Sequence, residues 1–231
     1  MFEGQESHNP KCIDPVAKWC VEHTEKDDIF IDVGAHIGRS AIPTMIEKKP
    51  IYTILIEAHD DSAKKLRKNV ERYVEGNNWE IIEELLLDTV GMRNFTCPVD
   101  SPIQSSIFDR FSVNNEEVIT KKIKSTTLDE ILKGHEELKE NKIVVKLDIE
   151  LSEYLAWQGM KENLHRIKAM CMEFMPSILV DAGVIAMNFT EKINKAGFEI
   201  LNLDGTNITH QELYSPEGSK VDIYLRNTLW K

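Results

Sequence analysis

The chain is poor in the groups that would staple it, anchor it or draw it to nucleic acid. Its 231 residues hold four cysteines, Cys12, Cys20, Cys97 and Cys171, with no CxxC pair and no zinc-like spacing to histidine. A zinc finger or a dense disulfide scaffold is thereby excluded. Scattered thiols point to a reducing compartment, with a Cys12–Cys20 bridge left open for a secreted form. No window approaches the ~18 apolar residues of a membrane span. Met1 to Pro10 is polar and lacks the apolar stretch of a signal peptide. Bases are also scarce, 28 against 39 acids, for a net charge of −11. Such a surface repels phosphate backbones, so nucleic acid is not an expected partner. The one basic run, Lys121-Lys122-Ile123-Lys124, reads as the solvated face of a strand. The expectation is a cytoplasmic protein without a membrane segment; the sequence does not set its oligomeric state.

What is present fits one α/β domain over residues 1–231. The hydrophobic share, 42%, is ordinary, and the length supports one sizeable core. Residues 1–28 form an N-terminal helical segment, with a helix expected from Asp14 to His23 because Asp14 can cap it and Pro15 suits its first turn. Apolar runs at Ile29–Val33, Ile51–Ile56, Trp79–Leu87, Ile143–Asp148 and Ala169–Phe174 predict strands. Helices are expected between them at 39–48, 60–74, 127–132 and 152–160. Residues 91–125 break this alternation and predict two strands in a small β insertion. A helix at 188–195 and two closing strands, Phe198–Leu203 and Val221–Arg226, complete the pattern. This is a mostly parallel sheet with one antiparallel strand.

The chemistry gathers at the ends of these strands. Asp32-Val-Gly34-Ala35-His36-Ile-Gly38 follows the first strand as a glycine turn opening a helix, the way an open α/β sheet builds a nucleotide pocket. Glu57 closes the second strand, where an acid can accept hydrogen bonds from both hydroxyls of a ribose. There is no GxGxxG and no Walker lysine, and Asp32 adds an acid where a pyrophosphate would be repelled. These residues suit a nucleoside carrying positive charge, such as S-adenosylmethionine (SAM). Asp88 either reaches the adenine amino group or simply begins a turn. Lys146-Leu-Asp148-Ile-Glu150 alternates along its strand, so its three charged groups share a face if the strand persists that far. Charges there must be paired, which predicts a Lys146–carboxylate contact. Glu173 adds a further acid to the same rim. Acids alone do not establish a metal site, and none is assigned.

Together these residues resemble the FkbM-type SAM-dependent methyltransferases. The likeness rests on the Asp32–Gly38 turn, Glu57, Thr127-Leu128-Asp129, the Lys146/Asp148/Glu150/Glu153 signature, Glu173 and the loop Gln104-Ser105-Ser106, in order from about Ile29 to Pro176. It implies a Rossmann-like class I methyltransferase fold with a seven-stranded sheet. It implies SAM held by Asp32, Gly34, Ala35, His36, Gly38, Glu57, Asp88 and Asp148. It implies an acceptor, the hydroxyl of a sugar or small natural product, near Ser105, Ser106 and Glu173. Catalysis falls to Asp148 or Glu150 as proton acceptor, with Lys146 holding the carboxylate; His165 is a weaker alternative. Two positions depart from the family pattern: His36 stands where Asn is usual, and Leu151 where Gly is usual. The second motivates an alternative, a SAM-binding sensor or scaffold with weak turnover. An NAD-linked oxidoreductase is disfavoured by the missing third glycine.

Overall fold

The structure is a computed structural model, and it describes residues 14–99, 105–108, 117–179, 183–214 and 220–230. Cys12 and Gln104 therefore lie outside the described residues, and with Cys12 the Cys12–Cys20 bridge; the other three cysteines are free and buried.

Helix α1 (Pro15–His23) begins as its sequence dictates: Asp14 accepts a hydrogen bond from the Val16 amide at 2.9 Å, and Pro15 opens the first turn. β1 (Ile29–Val33) is followed by the glycine turn and α2 (Ala41–Lys48). α2 starts two residues later than its sequence suggests, which places Pro43 in the first turn, where no helical N–H is needed from it. β2 (Tyr52–Ile56), α3 (Asp60–Tyr73) and β3 (Trp79–Ile82) continue the alternation.

The run from Trp79 to Leu87 then divides. β3 joins the main sheet beside β2, while β4 (Leu85–Leu86) leaves it to pair with β6 (Val118–Thr126). Glu83 and Glu84 separate the two strands, and neither is a group to bury in one continuous strand. β5 (Gly91–Pro98) and β6 form the antiparallel pair expected of the insertion, giving a second, three-stranded sheet in the order β4-β6-β5. Thr127 then caps α4 (Leu128–Lys133).

β7 (Ile143–Leu147), α5 (Glu153–Gln158), β8 (Ile167–Phe174), the short α6 (Pro176–Leu179), α7 (Ala186–Lys195), β9 (Phe198–Asn202), α8 (His210–Leu213) and β10 (Val221–Asn227) complete the chain. The main sheet has seven strands in the order β3-β2-β1-β7-β8-β10-β9, and only β10 runs against the rest.

Two cores cover its faces. Ile29, Ile31 and Val33 of β1 and Ile143, Val145 and Leu147 of β7 point to one face, under Leu128, Trp157 and Phe189 from α4, α5 and α7. Phe30 and Val144 point to the other, with Trp19, Ile42 and Leu66 from α1, α2 and α3. Burial on both faces is why β1 and β7 read as unbroken apolar runs. The strand order reverses direction at β1, flanked by β2 and β7. Crevices at such switch points open at the carboxyl ends of the strands, and the predicted glycine turn stands there.

Candidate active site

Asp32 and Lys146 are register partners on β1 and β7, so the pairing of two strands puts an acid and a base side by side inside the protein. Lys146 Nζ lies 3.3 Å from Asp32 Oδ1 and 3.5 Å from Asp148 Oδ2, and donates to the Gly34 carbonyl at 2.7 Å. Both members of the Asp32–Lys146 pair are buried. Burial pushes the Asp32 carboxyl up, opposed by Lys146. Burial works against the Lys146 ammonium, yet Asp32 and Asp148 outweigh it and hold the amine far above the ordinary lysine value. Lys146 is thus a fixed cation that ties the glycine turn to two acids, not a group that exchanges protons near neutrality.

The turn is shaped by close approaches. Gly34 has φ +75°, and a Cβ there would sit 1.8 Å from the Asp148 carbonyl oxygen, so only glycine lets the turn lie against the end of β7. Gly38, at φ +93°, does not line the cleft. A Cβ on it would meet Ile42 Cδ1 at 2.7 Å, so it serves helix packing rather than the ligand contact expected of it. His36 adopts φ +49°. Asn and His are among the few side chains enriched in that region, so the replacement of Asn keeps the conformation. Burial, with Arg39 adding to it, lowers the His36 imidazole to about 4, so it is neutral at pH 7.

Glu57 ends β2 beside this turn. It accepts from the backbone amides of His36 and His59, both at 2.8 Å, which locks its carboxylate in place. Each oxygen keeps a further lone pair for a ligand hydroxyl. A cleft of about 710 Å³ opens from here, lined near Glu57 by Ala58, Leu85, Leu86, Leu87 and Phe95. Its volume can take a nucleoside-sized ligand, and the apolar side chains beside Glu57 offer a surface on which a planar group can pack. Ala35 and Ser105 also line it. Asp88 does not: it is exposed beyond β4, with Thr89 as its hydrogen-bond partner, and its strand has left the main sheet. The expectation that it contacts adenine has no geometric support.

At the other end of the cleft the acids converge. β7 stops at Leu147, so alternation along the strand does not carry Glu150 to the rim as expected. A turn does: Glu150 and Leu151 take φ +52° and +83° in succession. Glu153 Oε1 holds the Ile149 amide at 2.9 Å, and the Ser106 hydroxyl donates to the Glu150 carbonyl at 2.9 Å. Ser106 is itself clamped to β5 by two backbone bonds with Thr96 and does not line the cleft. The structure therefore places it as support for Glu150, not as the substrate contact expected. Carboxylate oxygens of Asp148, Glu150 and Glu173 lie within 4.8 Å of one another, a set that could offer three ligands to a divalent cation. Burial, then Asp148, raises the Glu173 carboxyl to about 7 despite its ion pair with Lys220. Asp222, the β10 register partner of Glu173, faces the same space and is raised by burial and by Asp148. No local motif announces Asp222, Lys220 or Asp14 on this lining; only strand pairing and helix packing bring them in. His165 does not line the cleft.

Among the described residues no helix is long and apolar enough to cross a membrane. No curated protein matches the chain. Solved structures resemble it distantly. The precorrin-6y C5,15-methyltransferase of Geobacter metallireducens GS-15 is 9% identical, with 98% of this chain and 97% of that one covered, at a TM-score of 0.48. The TehB-like SAM-dependent methyltransferase of Corynebacterium glutamicum ATCC 13032 is 12% identical over 95% and 90%, at 0.46. M. jannaschii TYW2, solved with AdoMet, is 12% identical over 91% and 72%, at 0.45. Likenesses this remote do not bear on activity. The sequence of residues 32–204, from the first acid of the glycine turn to the end of β9 and just beyond, matches the Methyltransferase FkbM domain. The sheet is that of a Rossmann-like class I methyltransferase, and the cofactor of the family is SAM. With three quarters of its length inside that match, the glycine turn and Glu57 included, the chain belongs to the FkbM methyltransferase family.

Proposed function

We propose that the protein methylates a hydroxyl group on a small molecule or sugar, with Asp148, Glu150 and Glu173 forming the acceptor end of the cleft. The observation that carries this reading is the division of the cleft by strand order. Glu57 on β2 lies to one side of the glycine turn; Asp148, Glu173 and Asp222, from β7, β8 and β10, lie to the other. A nucleoside anchored by its ribose at Glu57 leaves the acid-lined end for the acceptor.

When bound, SAM supplies an electrophilic methyl on a sulfonium. Glu57 would hold the ribose hydroxyls. The backbone at Gly34 and Ala35 would line the methionine part, with Leu86 and Phe95 against the base. The residues at the far end must hold a hydroxyl oxygen in line with that methyl, since alignment contributes most of the rate in such a displacement. They must also take the hydroxyl proton. The half-exposed Asp148, paired with Lys146, and Glu150, on its left-handed turn, are the groups this reading assigns to accept it. Lys146 keeps its proton and positions Asp148. The acidic wall and net charge of −11 favour a neutral or cationic acceptor and disfavour nucleic acid.

The alternative, a SAM-binding protein without turnover, is prompted by Leu151. Its main support weakens because Leu151 occupies the left-handed turn in spite of its side chain. Methyl transfer from labelled SAM to a panel of sugars and hydroxylated small molecules tests the proposal. Asp148→Asn is expected to lower turnover at least 100-fold while the affinity for S-adenosylhomocysteine changes less than threefold. Unchanged turnover would remove Asp148 from the chemistry, and no product on any acceptor despite tight binding would favour the alternative.

A further inference from the structure

Among the described residues, one half-buried cation of the cleft, Arg39, has no acid paired with it. Lys146 is committed to Asp32 and Asp148, and Lys220 to Glu173. Lys65 is exposed and solvated. Arg39 differs from all three. It lines the cleft and is half-buried, its Nε is shut off from solvent without a hydrogen bond, and among the described residues it forms no ion pair. This occurs in a chain with 39 acids, several of them on the same cleft. A guanidinium held partly out of water without a partner is costly unless a ligand supplies one.

We propose that Arg39 receives the carboxylate at the amino-acid end of SAM. The assignment rests on the cofactor reading above and extends it to a residue outside the family motif. The position favours this ligand group. Arg39 follows Gly38 at the end of the glycine turn, three residues after His36, whose amide is bonded to Glu57. A nucleoside with its ribose on Glu57 therefore extends its tail along the stretch that ends in Arg39. Ser40, the next residue, is also buried on the cleft lining, and its hydroxyl makes no capping bond in α2. A guanidinium fork matches a carboxylate by two parallel hydrogen bonds, and the Ser40 hydroxyl offers a third donor. A half-buried cation that is unpaired among the described residues, set among several acids, suits a zwitterionic tail and not a pyrophosphate, which would meet Asp32, Glu57 and Asp148 at close range.

Calorimetry on the whole protein tests this without any acceptor, using two probes: S-adenosylhomocysteine, which carries the amino-acid tail, and methylthioadenosine, which keeps the nucleoside and thioether but lacks it. Arg39→Gln is expected to weaken S-adenosylhomocysteine at least tenfold, about 1.4 kcal/mol, and to leave methylthioadenosine within twofold. Arg39→Lys, with the charge but not the fork, is expected to fall between. Unchanged affinity for S-adenosylhomocysteine in Arg39→Gln overturns the assignment. So does an equal loss for both probes, which would mean that Arg39 merely shapes the site. Wild-type protein that binds neither probe overturns the cofactor reading itself, and the assignment with it.

Discussion

Single residues in this protein gain their character from burial more than from type. Glu153 matches an acid of the family signature and stands in the first turn of α5; in the fold it is buried, and its carboxyl is raised to about 8 by that burial, only partly offset by the Ile149 amide. A carboxyl raised so far keeps a proton in the folded state that the unfolded chain releases near pH 4.3. Between those two values the folded state binds more protons, so stability falls as pH rises, by about 1.4 kcal/mol per unit. Gln at this position cannot ionise and can still accept from Ile149. Glu153→Gln is therefore expected to match wild type in thermal unfolding at pH 4 and to exceed it at pH 8.5 by at least about 1 kcal/mol, or roughly 2–4 °C. Parallel pH profiles for the two proteins would show that Glu153 does not titrate as described. Asp32, Glu57 and Glu173 were visible in sequence as acids at strand ends; that Glu153 joins them in the interior was not, because helix periodicity does not reveal which face meets a neighbour.

Among the elements, the turn from Asp148 to Leu151 shows two opposing effects of known size. A non-glycine residue in the left-handed region costs about 1–2 kcal/mol. Leu151 is buried, and a leucine so placed contributes about 1.5–3 kcal/mol. Burial exceeds strain, which explains how leucine holds a place where glycine is usual in the family. Leu151→Gly is thus expected to lower stability by about 1 kcal/mol, measured by denaturant unfolding, even though it relieves the backbone. A rise in stability would mean that strain dominates. The element-level reading of the sequence succeeded where one period ran uninterrupted. β1 was legible to the residue because its apolar run is bounded by Asp28 and the glycine turn. The division of Trp79–Leu87 into β3 and β4 was not, since both halves are apolar and the choice of sheet depends on Thr126, whose carbonyl binds the Leu87 amide from 39 positions away. Asp88 was misplaced for the same reason.

For the whole molecule, the cleft lies at the centre of one sheet whose strands come from β1 at Ile29 to β10 at Asn227. A ligand there contacts segments from both halves of the chain, so its binding should stabilise the molecule as a unit. At a concentration 100 times its dissociation constant, S-adenosylhomocysteine is expected to add about 2.7 kcal/mol and to raise a single unfolding transition by roughly 5–10 °C. A shift in only part of a split transition would show that the cofactor end and the acceptor end unfold separately.

The sequence by itself determined the α/β class, the parallel strands, the glycine turn, the acid partnered with it and the family, because each depends on residues near one another along the chain: apolar period, a capping residue, glycine beside an acid. Tertiary structure alone decided which charges meet. Lys146 lies beside Asp32 through strand register. Ser106 holds Glu150 across 44 positions. Among the described residues Arg39 forms no ion pair, although several acids line the same cleft. Pairing and its absence are properties of distance in space, which no spacing along the chain encodes.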